Sequence, residues 1–228
     1  MCKNAIQYFT EAGYRYWCIT LRFGKEDAST SKLPSTAYDA RVDIIAALVK
    51  IREHASAAGG GGKPYDVAHC IGSLALACGL LGGTVPASWI SGIAASQILL
   101  HPVLTHLNRW KARSPLIGIY RMLVGNRYSC ISGRDDNLIQ TYLNQILRVH
   151  PQASGKEICS SVTCRRSHLA FSGLWNHRNL SAATHDRLHE VFGDVHTVCL
   201  QNLASMGLKQ TVTDNTGRDQ VTEQNLLA

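Results

Sequence analysis

Residues 65 to 83 read YDVAHCIGSLALACGLLGG, and this run restricts the fold more than any other part of the chain. Tyr65 to Ala68 has strand character. After His69 and Cys70 the chain passes directly into Ile71 to Leu81, a helical stretch that is apolar on every side. A helix without a polar face has to be covered all round, so this one is predicted to lie inside the molecule. A second strand is predicted over Trp89 to Leu100. Strand, helix and strand at these lengths imply a right-handed crossover and parallel pairing.

The residues before this unit extend the alternation. Asn4 to Ala12 reads as the last turns of a helix that stops at Gly13, where a glycine cap is expected. Tyr14 to Leu21 (YRYWCITL) is aromatic and β-branched, a strand signature, and a polar loop is expected from Arg22 to Thr36. Asp39 to His54 is predicted to be a helix with Val42, Ile45, Ala46, Val49 and the stem of Arg52 along its inner face. The expected class is therefore α/β, with a three-stranded parallel sheet and flanking helices over residues 1–100.

From His101 the alternation stops. Asn137 to Val149, with Leu138, Tyr142, Ile146 and Val149 at helical spacing, and Thr184 to Phe192 are predicted helices. Loops are expected around Gly125, Gly133, Pro151 and Gly155. Residues 101–228 read as a helical lid or cap subdomain that ends in a frayed polar tail from Thr211. AAGGGGKP, from Ala57, is read as a linker. A Walker loop would need glycine where Ala57 stands and Ser or Thr where Pro64 stands.

Charge and cysteine content narrow the partners. The net charge of +7 comes mainly from residues 101–228, with fourteen basic against nine acidic residues there and nine against seven in 1–100. The basic residues are scattered without interleaved aromatics, which argues against nucleic acid as a partner. No apolar stretch has the roughly eighteen uninterrupted residues of a membrane span. The start, MCKNAIQYF, lacks the layout of a secretory signal, and eight irregularly spaced cysteines fit reduced thiols. The expected location is cytoplasmic.

Ala68-His69-Cys70-Ile71-Gly72 has the pattern small-x-nucleophile-x-small on a strand-to-helix turn. Such a turn holds the nucleophile in a strained backbone at its tip, with small residues two positions away so that the chain can cross. The helix that starts at Ile71 points its unbonded N–H groups toward the sulfur, and the N–H of Ile71 is a candidate oxyanion donor. Cys70 is the candidate nucleophile. Strand alternation sends His69 to the other face, where it supports the corner. The alternative for Cys70 is a small buried residue that only packs, as expected for Cys18 and Cys78.

In order along the chain, YFTEAGYRYWCITLRFG, YDARVDIIAALVKIRE, VAHCIGSLALACGLLGG and SGIAASQILLHP resemble the α/β-hydrolase-fold half of cholesterol-oxidase-like proteins of the glucose-methanol-choline (GMC) flavoprotein group. CSSVTCRR, HRNLSAATHDRLHEVFG and DNTGRDQ continue the resemblance through residues 159 to 220. It implies a partial α/β-hydrolase core with a helical lid. It also implies ester or thioester acyl hydrolase chemistry at Cys70, with apolar lipid or steroid substrates. Relatives carry an earlier His-Gly oxyanion loop and a later carboxylate or amide followed by Tyr-Gly-His, and these have no counterpart here. The expectation is thus an internal piece of that half, with exposed sheet edges open to self-association. No G-x-G-x-x-G follows a strand, so no cofactor is expected in this chain, and FAD only in a longer parent protein.

A thiol nucleophile needs a base. His101, His150, His168, His177, His185, His189 and His196 are available, but none has the strand-end context the resemblance calls for. His185 and His189, four apart on a predicted helix, together with Cys159 and Cys164, form a loose zinc pattern; packing, or a short Cys159–Cys164 disulfide, is the alternative. Arg165 and Arg166 read as a solvated face, a salt-bridge site or a seat for an anion. The contrasting expectation for the whole chain is a non-catalytic scaffold or interaction module, or a truncated part of a GMC-type FAD oxidoreductase that lacks its flavin domain.

Overall fold

The computed structural model describes residues 4–22, 35–60, 62–98, 100–131, 136–149 and 159–227. Most of the loop expected from Arg22 to Thr36, and the turns expected around Gly133, Pro151 and Gly155, lie outside them, as does His150.

Helix α1 (Ala5–Glu11) opens with a capping box, in which Asn4 and Gln7 exchange side-chain to backbone bonds, and Gly13 follows it at φ +85°. Tyr14 to Leu21, the expected first strand, runs without strand hydrogen bonding. It leans on helix α2 (Arg41–Ala57), with Trp17 edge-on to His54 and the Arg22 guanidinium 2.6 Å from Asp43. The expected three-stranded sheet is therefore corrected to two parallel strands among the described residues. These are β1 (Tyr65–His69) and β2 (Gly92–Ser96), paired from Tyr65↔Gly92 to His69↔Ser96. β2 is shorter than the predicted Trp89 to Leu100, because Ala87–Trp89 forms a 3-10 turn.

Helix α3 (Ile71–Leu81) shows why this stretch has no polar side. Ala75 and Leu76 pack on Ala40, Ile44 and Leu48, whereas Leu74 and Cys78 pack on Cys199, Met206 and Val212. α3 is held between α2 and helix α10 (Thr197–Lys209), and each large side chain buried this way contributes about 1.5–3 kcal/mol. The buried line of α2 is Ile44, Leu48 and Ile51, rather than the predicted line through Val42 and Ala46, which are exposed. Asp43, on another side of the helix, is turned toward Arg22.

After β2 come α4 (His106–Arg113), α5 (Leu116–Leu123), β3 (Arg127–Ser129), α6 (Leu138–Val149) and α7 (Val162–Phe171). Then follow a 3-10 turn at His177–Asn179, α8 (Ala182–Asp186), α9 (Leu188–Val191) and β4 (Asp194–His196), which leads into α10. β3 and β4 pair antiparallel, a small sheet that the helical patterning of this region hides. On α6, Leu138, Tyr142 and Ile146 face solvent and Leu147 is buried.

The segment from Thr211 is packed rather than frayed. Val212 and Thr213 are buried, Gln220 N–H donates to Val212 O, and Asp214 Oδ1 accepts from the N–H groups of Thr216 and Arg218. Asn215 bonds Asp39 and Thr36 at 2.7 Å each, fastening this turn to the start of α2. A short helix α11 (Glu223–Leu227) follows. Among the described residues, no helix is long and apolar enough to cross a membrane.

Candidate functional site

Cys70 is the single residue between β1 and α3, and its backbone sits at φ 51°, ψ −119°. A side chain beyond glycine is strained there by the order of 1–3 kcal/mol, so the surroundings must enforce it. They do so through both backbone groups. Cys70 N–H donates to Ser96 O at 3.0 Å, and Cys70 O accepts from Ser73 Oγ at 2.6 Å and from Leu74 N–H at 3.2 Å. Ser73 Oγ also reaches Gln97 O at 3.3 Å, and Gln97, just past β2, is itself at φ 53°. Two neighbouring parallel strands thus each end in a positive-φ residue, with one buried serine linking them.

The Cys70 side chain is partly exposed, and the N–H of Ile71, in the first turn of α3, has no acceptor within the helix. His69 lies across the strands from Ser96, with Nδ1 2.7 Å from Ser96 Oγ. The crossing-chain reason expected for a small residue at 72 does not hold: a Cβ placed on Gly72 meets no described atom within 4 Å. Among the described residues no side chain hydrogen-bonds the Cys70 thiol. His101 reaches Gln210 O, His168 packs on Trp175, and His196 is buried at the end of β4.

The strain has a measurable consequence. Cys70→Gly, which places at this φ and ψ the one residue that tolerates them, is expected to raise folding stability by about 1 kcal/mol. Urea midpoints compare the two proteins, and a variant less stable than the wild type would show that the corner is not strained.

A second group of reactive side chains lies between α7 and α8. Cys159, Cys164, His177 and His185 bring their sulfur and nitrogen atoms within 4.8 Å of one another. Cys159 Sγ is 3.2 Å from His185 Nε2, and Cys164 Sγ is 3.2 Å from His177 Nε2. The expected set of Cys159, Cys164, His185 and His189 is corrected at its last member. Arg187 interrupts the helix at φ −95°, ψ 10°, so His185 and His189 do not share a face, and exposed His189 bonds Asp186 O. His177, from the turn before α8, takes the place instead, and the C-x4-C-x12-H-x7-H spacing is the signal that carried it. No disulfide joins Cys159 and Cys164. Burial, and then the neighbouring Cys159, pushes the Cys164 thiol up to about 12.

Arg165 and Arg166 are both buried, not a solvated face or an anion seat. Arg166 pairs with Asp136 at 2.8 Å and Arg165 donates to Ser160 O. A surface groove of about 480 Å³ runs between α5 and α10 past Ile119, Met122, Ala204 and Leu208, and includes neither Cys70 nor the Cys/His group. Comparison with family models, curated proteins and solved structures gives no match to this chain.

Proposed function

We propose that the chain presents Cys70 as the nucleophile of an acyl hydrolase acting on esters or thioesters of apolar, lipid-like or steroid-like compounds. The observation that carries this reading is the backbone of Cys70, at φ 51°, ψ −119° between a parallel strand and the helix it feeds. That conformation costs stability at a partly exposed position, as the turn beneath a nucleophile does.

The chemistry follows from the groups at hand. The partly exposed Cys70 thiol gives up its proton to solvent water, and its sulfur bonds to the carbonyl carbon. The carbonyl oxygen takes the negative charge and accepts from the Ile71 N–H, at the positive end of α3. The bond to the leaving oxygen or sulfur then breaks, and the leaving alcohol or thiol departs with the proton that Cys70 released. Water cleaves the resulting thioester and returns the proton to Cys70, so one water is consumed per ester. The apolar substrate class rests on the sequence resemblance.

Hydrolysis of short p-nitrophenyl esters tests the reading. The wild type is expected to turn over, and Cys70→Ala to lose at least about a hundredfold, as for removal of a covalent nucleophile. Equal rates in the two proteins would dismiss Cys70 as the nucleophile.

A second reading, an interaction module, is favoured by the solvent-facing row of Leu138, Tyr142 and Ile146 on α6. Absence of hydrolysis in the wild type would select it.

A further inference from the structure

Four side chains, carried by α7 and the residues before it, the following 3-10 turn and α8, meet at one point. Cys159 stands just before the helix, Cys164 is in its first turn behind the Ser161 cap, His177 opens a 3-10 turn, and His185 lies in α8. Two thiols and two imidazoles are the ligand types of a structural zinc site. Tetrahedral zinc, with bonds of about 2.3 Å to sulfur and 2.0–2.1 Å to nitrogen, sets its ligand atoms roughly 3.3–3.8 Å apart. Here every pair falls within 4.8 Å, and two of the sulfur–nitrogen pairs are at 3.2 Å.

We infer that Cys159, Cys164, His177 and His185 bind one zinc ion, which staples the segment from residue 159 to 192 into the fold. The inference does not rest on the role proposed for Cys70.

Three observations narrow the ion and its purpose. Each sulfur lies beside a nitrogen, whereas a two-iron cluster of the Cys2His2 kind keeps its thiolates on one iron and its imidazoles on the other. Magnesium and calcium prefer oxygen ligands, which this set lacks. Four protein ligands leave no open position for substrate or water, so the site is structural.

The surroundings need such a staple. The apolar cluster here consists of buried Cys159, Cys164 and Leu188 with partly covered Trp175, Leu180 and Phe192. α8 and α9 are five and four residues long, too short to be stable by themselves. A metal commonly supplies what so small a core cannot. His185 turns Nε2 to the cluster and leaves Nδ1 on the opposite side of the ring, away from the sulfurs.

The test uses the whole chain, produced with zinc in the medium and purified without chelator. Elemental analysis of the wild type is expected to give about one zinc per chain, and cobalt exchange a tetrahedral spectrum with sulfur-to-metal charge transfer. His189→Ala and Cys70→Ala are expected to keep that zinc, and Cys164→Ser and His177→Ala to lose most of it. A metal-free wild type that takes up neither zinc nor cobalt would overturn the site, leaving two Cys–His hydrogen-bonded pairs. Full zinc content in a Cys164→Ser, His177→Ala double variant would overturn it equally. If those variants are insoluble, the zinc content and cobalt spectrum of the wild type decide the question.

Discussion

Replacing Arg166 by alanine is expected to lower folding stability by about 3–5 kcal/mol, the range for breaking one side of a buried ion pair. The Arg166 side chain is 1% exposed, and it does not serve one partner alone. Its Nη2 bonds Asp136 at 2.8 Å, Nε bonds Asn144 Oδ1 at 2.8 Å, and Nη1 donates to Ile131 O at 2.7 Å and Ser129 O at 3.3 Å. Its own carbonyl accepts from the buried Tyr128 hydroxyl at 2.8 Å. One guanidinium thus ties α7 to β3, to the chain just past it and to α6. Alanine leaves Asp136, 11% exposed, without that counter-charge and takes the Arg166 donor from the Ser129 and Ile131 carbonyls, of which Ile131 O keeps the Ser129 hydroxyl at 2.9 Å. Lysine is expected to recover little, because a point charge cannot match the planar fork. Urea unfolding checks this, with Arg187→Ala as the control: Arg187 meets Glu190 at 2.6 Å on the surface, and its loss is expected to leave the midpoint in place. An Arg166→Ala protein within about 1 kcal/mol of the wild type would mean that the network is not what joins these elements.

How far the sequence disclosed this structure depended on how many neighbours each element needs. α3 was legible because an all-apolar helix has one solution, burial on every side, and α2 and α10 provide it. The corner at Cys70 was legible because it is local, with a strand, one residue and a helix in immediate succession. Tyr14 to Leu21 has strand composition, but pairing requires a partner, and this segment meets the side of α2 instead. In α2 every position from 44 to 49 is apolar, so periodicity could not choose the inner face, which is the one that meets Ala75 and Leu76 of α3. Arg166 looked solvent-facing for the same reason, since its partners lie 22 to 37 residues away. The metal-type cluster was legible in its cysteines and in His185. His189 was the wrong fourth member because a single non-helical residue, Arg187, breaks the phase between the two histidines.

The central claim concerns one sulfur atom. Cys70 is expected to be alkylated by iodoacetamide faster than any other of the chain's eight cysteines, on the order of tenfold faster than exposed Cys18. Burial protects most of the others. It pushes the thiols of Cys78 and Cys199 up to about 12 and that of Cys130 to about 11, so little reactive thiolate exists at these positions near neutral pH. Cys18 is accessible but belongs to a segment of ordinary extended backbone, whereas partly exposed Cys70 is the N-cap residue of α3 in a strained strand-to-helix turn. Site-resolved alkylation rates, read by peptide mass spectrometry on the native protein at neutral pH, measure this directly. The account predicts Cys70 first by a clear margin. Cys70 reacting no faster than Cys18, or lagging with the buried thiols, would contradict it.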